Sequence, residues 1–472
     1  HGCYLGRRYK GLAASWPFML LHSSGPINAA RIANALNPCF IDFTSVSLDD
    51  DQVQTQYPIM TGPPSNAKLL DGPREVMLRV RTGADVLVDT NFDAMSGRRV
   101  ALITNQTGLV DGEHLADRLH RANNVTLAAI LGPEHGFRGT VEAGVAVQDG
   151  IDQKTGVRIH SLYGKTRKPT RKMLASSDVL VFDIQDIGAR FYTYISTMGL
   201  AMQAAAEAGI PLVVLDRPNP LGGHVMSGHV LESQFRSFVG QYPIPVIHGL
   251  TVGELAQMVK GERWLDGLNS LDLRVMRMQG WQRTMRWPAT RLPWVPTSPN
   301  IPTFEASLIY PGIGLVGETQ LVNEGRGTPR PFTQVGAPWL DARRLAYRLN
   351  RLELPGLDFE ATRYTPRSIA KVAATPRFVG RSVNGVRIHV RSISRVRPLE
   401  LGIHVLSLLI AEARASGVKQ LFAKPGWFHH IAGTKRLYRM LVKGATGQAI
   451  IRSWRTEVGD YEQRRLPYLL YE

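Results

Sequence analysis

Cysteine is nearly absent: the chain holds two in 472 residues, Cys3 and Cys39, and none from residue 40 onward. That excludes a thiolate nucleophile, a cysteine-ligated zinc site and a disulfide framework over everything that follows. Such scarcity is compatible with export without requiring it. Long apolar runs are missing too. No stretch approaches the ~20 apolar residues that a membrane-spanning helix needs, so an integral helical membrane protein is not expected. Acidic residues are also short, at 39 against 56 Lys and Arg, a net charge of +17. That excess favours an anionic partner: nucleic acid, an acidic surface or a carboxylate-bearing substrate.

Two signatures are missing as well. No GxGxxG follows the first strand and no GxxxxGK[ST] occurs, so neither a dinucleotide cofactor nor a P-loop is expected. No cofactor is expected at all. Nor does any helix-turn-helix, RRM or zinc pattern accompany the basic runs, which are five arginines without an acid in 273–304 and nine Lys or Arg without an acid in 361–399. A positive rim for an anionic polymer explains them as well as nucleic acid does, and solvated faces explain part.

What is present is a regular alternation. Residues 1–78 mix polar, proline-rich and acidic pieces and open on a basic lead with a short apolar run; they are expected to be a poorly ordered extension or degenerate leader. Then "RRVALITNQTG", "VTLAAILGPEHG", "SDVLVFDIQDIG" and "GIPLVVLDRPNPLGG" each read as a short, fully apolar strand ending in polar residues. Strands apolar on both faces belong in parallel sheets, with helices such as 196–209 between them. The fold class is therefore α/β: a Rossmann-like, doubly wound parallel-sheet domain over 79–303, then a smaller C-terminal α/β domain over 304–472 with helices near 341–352, 401–416 and 434–443 and a strand at "VRIHVR". In such a sheet the carboxyl ends of the strands share one edge, where ligands bind. The polar clusters, far apart in sequence, should converge there.

The string "LGPEHGFRG" carries the sharpest signal. Glu134 and His135 follow an apolar strand, Pro133 fixes the approach, and glycines at 132, 136 and 139 let backbone come close to a ligand. A capping carboxylate is the ordinary alternative. Yet a half-buried carboxyl at a sheet edge suits general-acid work, because partial burial favours the proton-carrying form. His135 invites a metal reading with His160, His224, His229 or His248, but no pair has HExxH spacing, and no metal site is assigned. "DIQDIGARFYTYIST" offers Asp183, Asp186, Arg190 and Tyr192 as a polar wall, or simply an ion pair with aromatic core. "DRPNPLGG" sets Asp216 and Arg217 on a rigid turn, where an ion pair holding the loop is equally natural.

Seven strings then occur in order: "LGPEHGFRG", "HSLYG", "VFDIQDIGARFYTYISTM", "VLDRPNPLGG", "HGLTVGELA", "SPNIPTFEASLIYPG" and "NEGRGTPRPFTQVGAPW". Together they closely resemble the exo-β-N-acetylmuramidase (NamZ) family of peptidoglycan recycling, from about Gly83 to the C-terminal "YLLYE". The resemblance implies a Rossmann-like catalytic domain, a smaller C-terminal domain and an active site in the cleft between them. It implies release of N-acetylmuramic acid from the non-reducing end of peptidoglycan fragments, with the residue matching Glu134 as acid/base. One departure is visible: the family pattern has Gly-Thr-Asn after the Glu matching Glu318 and Ser before Glu-Gly-Arg-Gly-Thr, where this chain has "TQL" and Asn323.

Chemistry and resemblance meet. A 2-acetamido sugar can supply its own nucleophile, so one acid/base (Glu134) and one orienting group (Asp183, Asp186 or Tyr192) would suffice. The lactyl carboxylate gives an arginine a reason to be near, whether Arg326, Arg217 or Arg190. Asn105, His135, Arg138, Asp216 and Glu318 complete the expected contacts. The expected partners are muropeptides or disaccharides, not nucleic acid, in an exported setting, periplasmic or secreted. Two alternatives stand beside this: a metal-dependent peptidoglycan hydrolase, and a non-enzymatic binder of an anionic polymer.

Overall fold

In the computed structural model the chain is described over residues 79–134, 136–138, 149–164 and 166–472. The expected extension over 1–78, and His135, lie outside the described residues. Among the described residues twelve strands run in chain order: β1 (Arg99–Thr104), β2 (Leu109–Val110), β3 (Glu113–His114), β4 (Thr126–Gly132), β5 (Gly150–Ile151), β6 (Arg158–Ser161), β7 (Val179–Asp183), β8 (Leu212–Leu215), β9 (Leu273–Met276), β10 (Gln334–Ala337), β11 (Leu357–Tyr364) and β12 (Val383–Val390). Seven of them form one sheet in the order β5-β6-β4-β1-β7-β8-β9, parallel except for the short edge strand β5.

This order decides where a ligand binds. From β1 the chain steps outward through β4 to β6, then returns to β7 and steps the other way through β8 to β9. The topological switch point lies between β1 and β7, and the crevice opens beyond their carboxyl ends. The four apolar strands legible in the sequence are the central four, β4, β1, β7 and β8, and they are almost wholly buried. Edge strand β9 alternates only weakly and escaped the reading.

Helices start where side chains satisfy their free N–H groups. Thr82 with Asp85 and Thr251 with Glu254 are complete capping boxes, each side chain bonding the other's backbone N–H. The Ala-rich helix Tyr194–Ala208 ends at Gly209, whose φ of 68° is the left-handed conformation that glycine adopts without cost.

The remainder is built around β10, β12 and β11, an antiparallel three-stranded sheet in that order, and two long helices, Phe304–Gly317 and Pro398–Ala415. The helices cross glycine to glycine: a Cβ on Gly312 would sit 2.1 Å from the Pro398 carbonyl, and one on Gly402 2.3 Å from the Gly312 Cα. One apolar core runs across residue 303, joining Ile187, Leu221 and Ile301 to Leu308, Phe332 and Leu399. No helix among the described residues is long and apolar enough to cross a membrane.

Candidate active site

The loops leaving β1, β4, β7 and β8 are stitched to one another, so the polar clusters meet at a single edge. Gln185 N–H donates to Thr107 Oγ1 at 3.0 Å, and Gln185 Nε2 donates to the Pro218 carbonyl at 2.7 Å. Thr193 Oγ1 donates to Glu134 Oε2 at 3.0 Å. Three loops are thereby fixed relative to the Glu134 carboxylate, which is 9% exposed.

Above this edge lies a Pro- and Trp-rich stretch, 287–307. It is a lid-like strap laid across the strand ends. Tyr192 donates its hydroxyl to Thr297 Oγ1 and Tyr194 donates to the Thr297 carbonyl, both at 2.8 Å, while Gln106 Nε2 holds the Pro296 carbonyl. The aromatic rings form a continuous wall. Tyr192 packs edge-on to Tyr194 at 5.2 Å and to Tyr310 at 5.8 Å, and Tyr310 packs edge-on to Phe332 at 4.8 Å. Arg326 caps the wall, 5.3 Å from the Phe332 ring.

Around Tyr310 the two halves of the chain contribute charge. Burial raises the pKa of the Tyr194 and Tyr310 hydroxyls, and the nearby Glu134 carboxylate raises both further. Burial works against the charge on Arg326, but Glu324, Glu318 and Glu134 outweigh it and raise its pKa. Arg326 Nε pairs with Glu324 Oε1 at 3.1 Å. The Glu318 carboxyl has its pKa raised by burial, although it accepts a hydrogen bond from Trp427 Nε1 at 2.6 Å. Glu134, Glu318, Glu324 and Arg326 therefore share one crevice.

Asp186 is different in kind. Oδ1 accepts from the Gly188 N–H at 2.8 Å, while the buried Oδ2 has no hydrogen-bond partner among the described residues. Burial pushes its pKa up to about 7. Gly188, at φ 78°, makes the turn that lets the Asn219 side chain lie against its backbone.

Other expected contacts have been taken by the protein itself. Asp183 is fully buried and makes a bidentate pair with Arg217, Nε to Oδ1 at 2.7 Å and Nη2 to Oδ2 at 3.0 Å. Asp216 accepts four bonds, from Thr251 Oγ1, Tyr471 Oη and the N–H groups of Gly253 and Arg217, and burial pushes its pKa up to about 7. Arg190 was expected at the substrate. It is fully buried instead and donates to the carbonyls of His229, Ile244 and Ile431, and burial lowers its pKa to about 9. Arg138 turns away to Asp152 and Asp117. Asn105 shapes its own loop, accepting from the Thr107 N–H and hydroxyl. Asp183, Asp216 and Arg190 thus brace the strand ends from below, Arg217 also lines a small cavity with Thr107, Gln185 and Trp287, Arg138 is exposed, and Asn105 Nδ2 has no hydrogen-bond partner among the described residues.

The histidines proposed beside His135 are scattered. His160 sits by Asp149, His224 by the Arg283 carbonyl, His229 by Glu457 and His248 by the Leu250 N–H. Among the described residues no three His, Cys, Asp or Glu cluster as a metal site would. Sequence reasoning missed Tyr310, Thr193, Thr297 and Trp427. Tyr310 stands in "SLIYPG" inside an unforeseen helix, and only that string's place among the ordered motifs pointed to it.

Comparisons with known proteins bear on most of the chain, from residue 100 to 471 by family model. Residues 100–305 match the family described as exo-β-N-acetylmuramidase NamZ, N-terminal, and residues 308–471 match its C-terminal counterpart. The peptidoglycan β-N-acetylmuramidase NamZ of Bacillus subtilis (strain 168) is 41% identical over 394 residues, 83% of this chain and 92% of that protein. Two crystal structures of DUF1343 family proteins from Bacteroides fragilis NCTC 9343 superpose well. One has a TM-score of 0.77 at 39% identity, covering 84% of this chain and 99% of the other. The second has a TM-score of 0.68 at 34% identity, covering 83% and 99%.

Proposed function

The chain belongs to the exo-β-N-acetylmuramidase NamZ family, and from that premise we propose that it is an exo-acting glycoside hydrolase releasing N-acetylmuramic acid from the non-reducing end of peptidoglycan fragments. Glu134 is the acid/base and the substrate's acetamido group is the nucleophile. The observation that carries this reading is Glu134 itself: a carboxylate at the mouth of β4, held by the Thr193 hydroxyl and facing the aromatic wall at the switch-point crevice.

The chemistry balances with one protein carboxyl. Protonated Glu134 gives its proton to the glycosidic oxygen as the bond to the anomeric carbon breaks. The acetamido carbonyl oxygen forms the replacing bond, giving a cyclic oxazolinium. The Glu134 carboxylate then takes a proton from water as that water attacks the anomeric carbon, which restores the acetamido group and the acid. Asp186 is the best-supported partner for the acetamido N–H, because its buried Oδ2 is a lone acceptor beside Tyr192 and Tyr194. Asp183 was an equal candidate from the sequence, but both its oxygens are held by Arg217. Tyr192 serves better as wall than as acid, since burial raises its pKa well above the usual phenol range. The same reading sets the protein outside the cytoplasmic membrane, where intact glycan ends lie; detection of activity in the culture fluid or periplasmic fraction tests that.

The test of function is release of N-acetylmuramic acid from MurNAc-GlcNAc by wild type and Glu134→Gln, each with and without EDTA. Wild type releases the sugar in both conditions, and the variant loses about 10³-fold or more. No release by wild type, or a variant of near-normal rate, overturns the proposal; loss in EDTA alone would favour the metal-dependent alternative.

A further inference from the structure

The arginines expected from the sequence to meet the lactyl carboxylate are engaged elsewhere. Arg217 is locked to Asp183, Arg190 is fully buried among backbone carbonyls, and Arg326 is paired with Glu324. A different arginine stands at the same crevice. The Asn323 side chain is fully buried, and its Nδ2 donates to the backbone carbonyls of both Arg326 and Arg377, each at 3.0 Å. One amide thus pins the two arginine-bearing segments side by side. The close passage of the chain at Gly327 tightens the arrangement: a Cβ there would meet the Arg367 carbonyl at 2.5 Å and Pro376 at 2.6 Å. Farther along, Asn300 Nδ2 donates to the Val372 carbonyl at 2.6 Å, anchoring the Arg377 loop to the strap over the strand ends.

The Arg377 guanidinium is half-buried, yet among the described residues it has no ion pair and no hydrogen bond. Burial lowers its pKa, with Glu324 and Glu318 opposing. Neither carboxylate answers it: Glu324 is paired with Arg326, and Glu318 accepts from Trp427. A guanidinium withdrawn from water without a fixed partner is a ready receptor for an arriving carboxylate, and its planar fork binds one at two points.

We propose that Arg377 is the specificity-determining residue of this site, its guanidinium pairing with the lactyl carboxylate of N-acetylmuramic acid while Arg326 stays with Glu324. This rests on the function proposed above. It assigns selection against N-acetylglucosamine, which lacks the lactyl group, to the C-terminal half.

The test compares aryl β-glycosides of N-acetylmuramic acid and of its lactyl methyl ester, which keeps the bulk and loses the charge. Wild type should prefer the acid by about 100-fold in kcat/KM, the scale of a lost charge-assisted contact. Arg377→Ala should lose about that factor on the acid and little on the ester, and Arg377→Lys should recover part of it. Equal losses on both substrates, or a preference that survives in Arg377→Ala, would overturn the assignment. Failure of the function itself looks different: wild type would then cleave neither glycoside, or Glu134→Gln would cleave both.

Discussion

Two clusters of the same residue types sit on the same sheet edge and differ in one respect. At the ends of β7 and β8, Asp183, Arg217 and Asp216 satisfy one another, the backbone and Tyr471. Around the crevice, Asp186 beyond β7 keeps Oδ2 without a hydrogen-bond partner among the described residues and the Arg377 guanidinium has no ion pair there, while Glu134 is held by Thr193 and Glu318 by Trp427. Strand-end carboxylates and arginines are therefore not functional by type or position. Between Asp183 and Asp186, the difference is whether the carboxylate's hydrogen-bonding capacity is filled by the protein.

The comparison breaks most visibly at Glu134. Glu134→Gln should lose about 10³-fold or more in turnover, ~4 kcal/mol of barrier, while its melting temperature stays within a few degrees of wild type. On the closed side the signs reverse. Asp183→Asn leaves a buried guanidinium facing an amide and should cost about 3–5 kcal/mol of stability in denaturant titrations. Replacing both partners, Asp183→Leu with Arg217→Met, should restore most of that loss. If the double variant remains as unstable as the single one, the pair is more than a self-contained brace.

Asp186 gives a pH test of the open side. Its folded pKa, about 7, lies above the ordinary aspartate value, so folding favours the protonated form. The stability it contributes is full below about pH 4 and is lost as pH rises through 7. Asp186→Asn removes that loss. The variant should therefore be more stable than wild type at pH 8 by about 1–3 kcal/mol, with little difference at pH 4, while releasing less sugar. A variant whose stability advantage does not grow with pH would mean that the carboxylate is not held in an unfavourable charged state.

Much of this was legible beforehand, for identifiable reasons. The four central strands announced themselves because burial on both faces removes polar residues from them, and the sheet type followed from their alternation with helices. Glu134 stood out because glycine and proline framed it. The distinction between Asp183 and Asp186 could not be read, since three residues apart in "DIQDIG" one is held by Arg217 and the other has an oxygen with no hydrogen-bond partner among the described residues. Partner choice is a tertiary fact. Helix Phe304–Gly317 was hidden for a related reason: Pro311 and three glycines argue against a helix locally, and it is held by the glycine-to-glycine crossing with Pro398–Ala415. Arg377 was one of nine basic residues in a run, and nothing local marks it as the one that is half-buried without a carboxylate partner among the described residues.

The smallest effect belongs to the last turn of the chain. Tyr471 Oη donates to Asp216 Oδ2 at 2.6 Å and accepts from the Met278 N–H at 3.0 Å, while its ring packs edge-on against Trp281. Tyr471→Phe keeps the ring and removes one of four donors to Asp216, so it should cost about 1 kcal/mol. The pH dependence tells whether that donor supports charge. Tyr471 lowers the pKa of Asp216 against the upward push of burial, and without it the folded pKa rises further. The variant's deficit should then be small near pH 5 and widen by pH 8, because a hydroxyl stabilises the ionised carboxylate more than the neutral acid. A deficit equal at both pH values would mean that the hydroxyl bonds the same protonated form of Asp216 throughout that range. In that case Asp216 would not be a carboxyl at the edge of ionisation, and the contrast between the two clusters would rest on Asp183 and Arg217 alone.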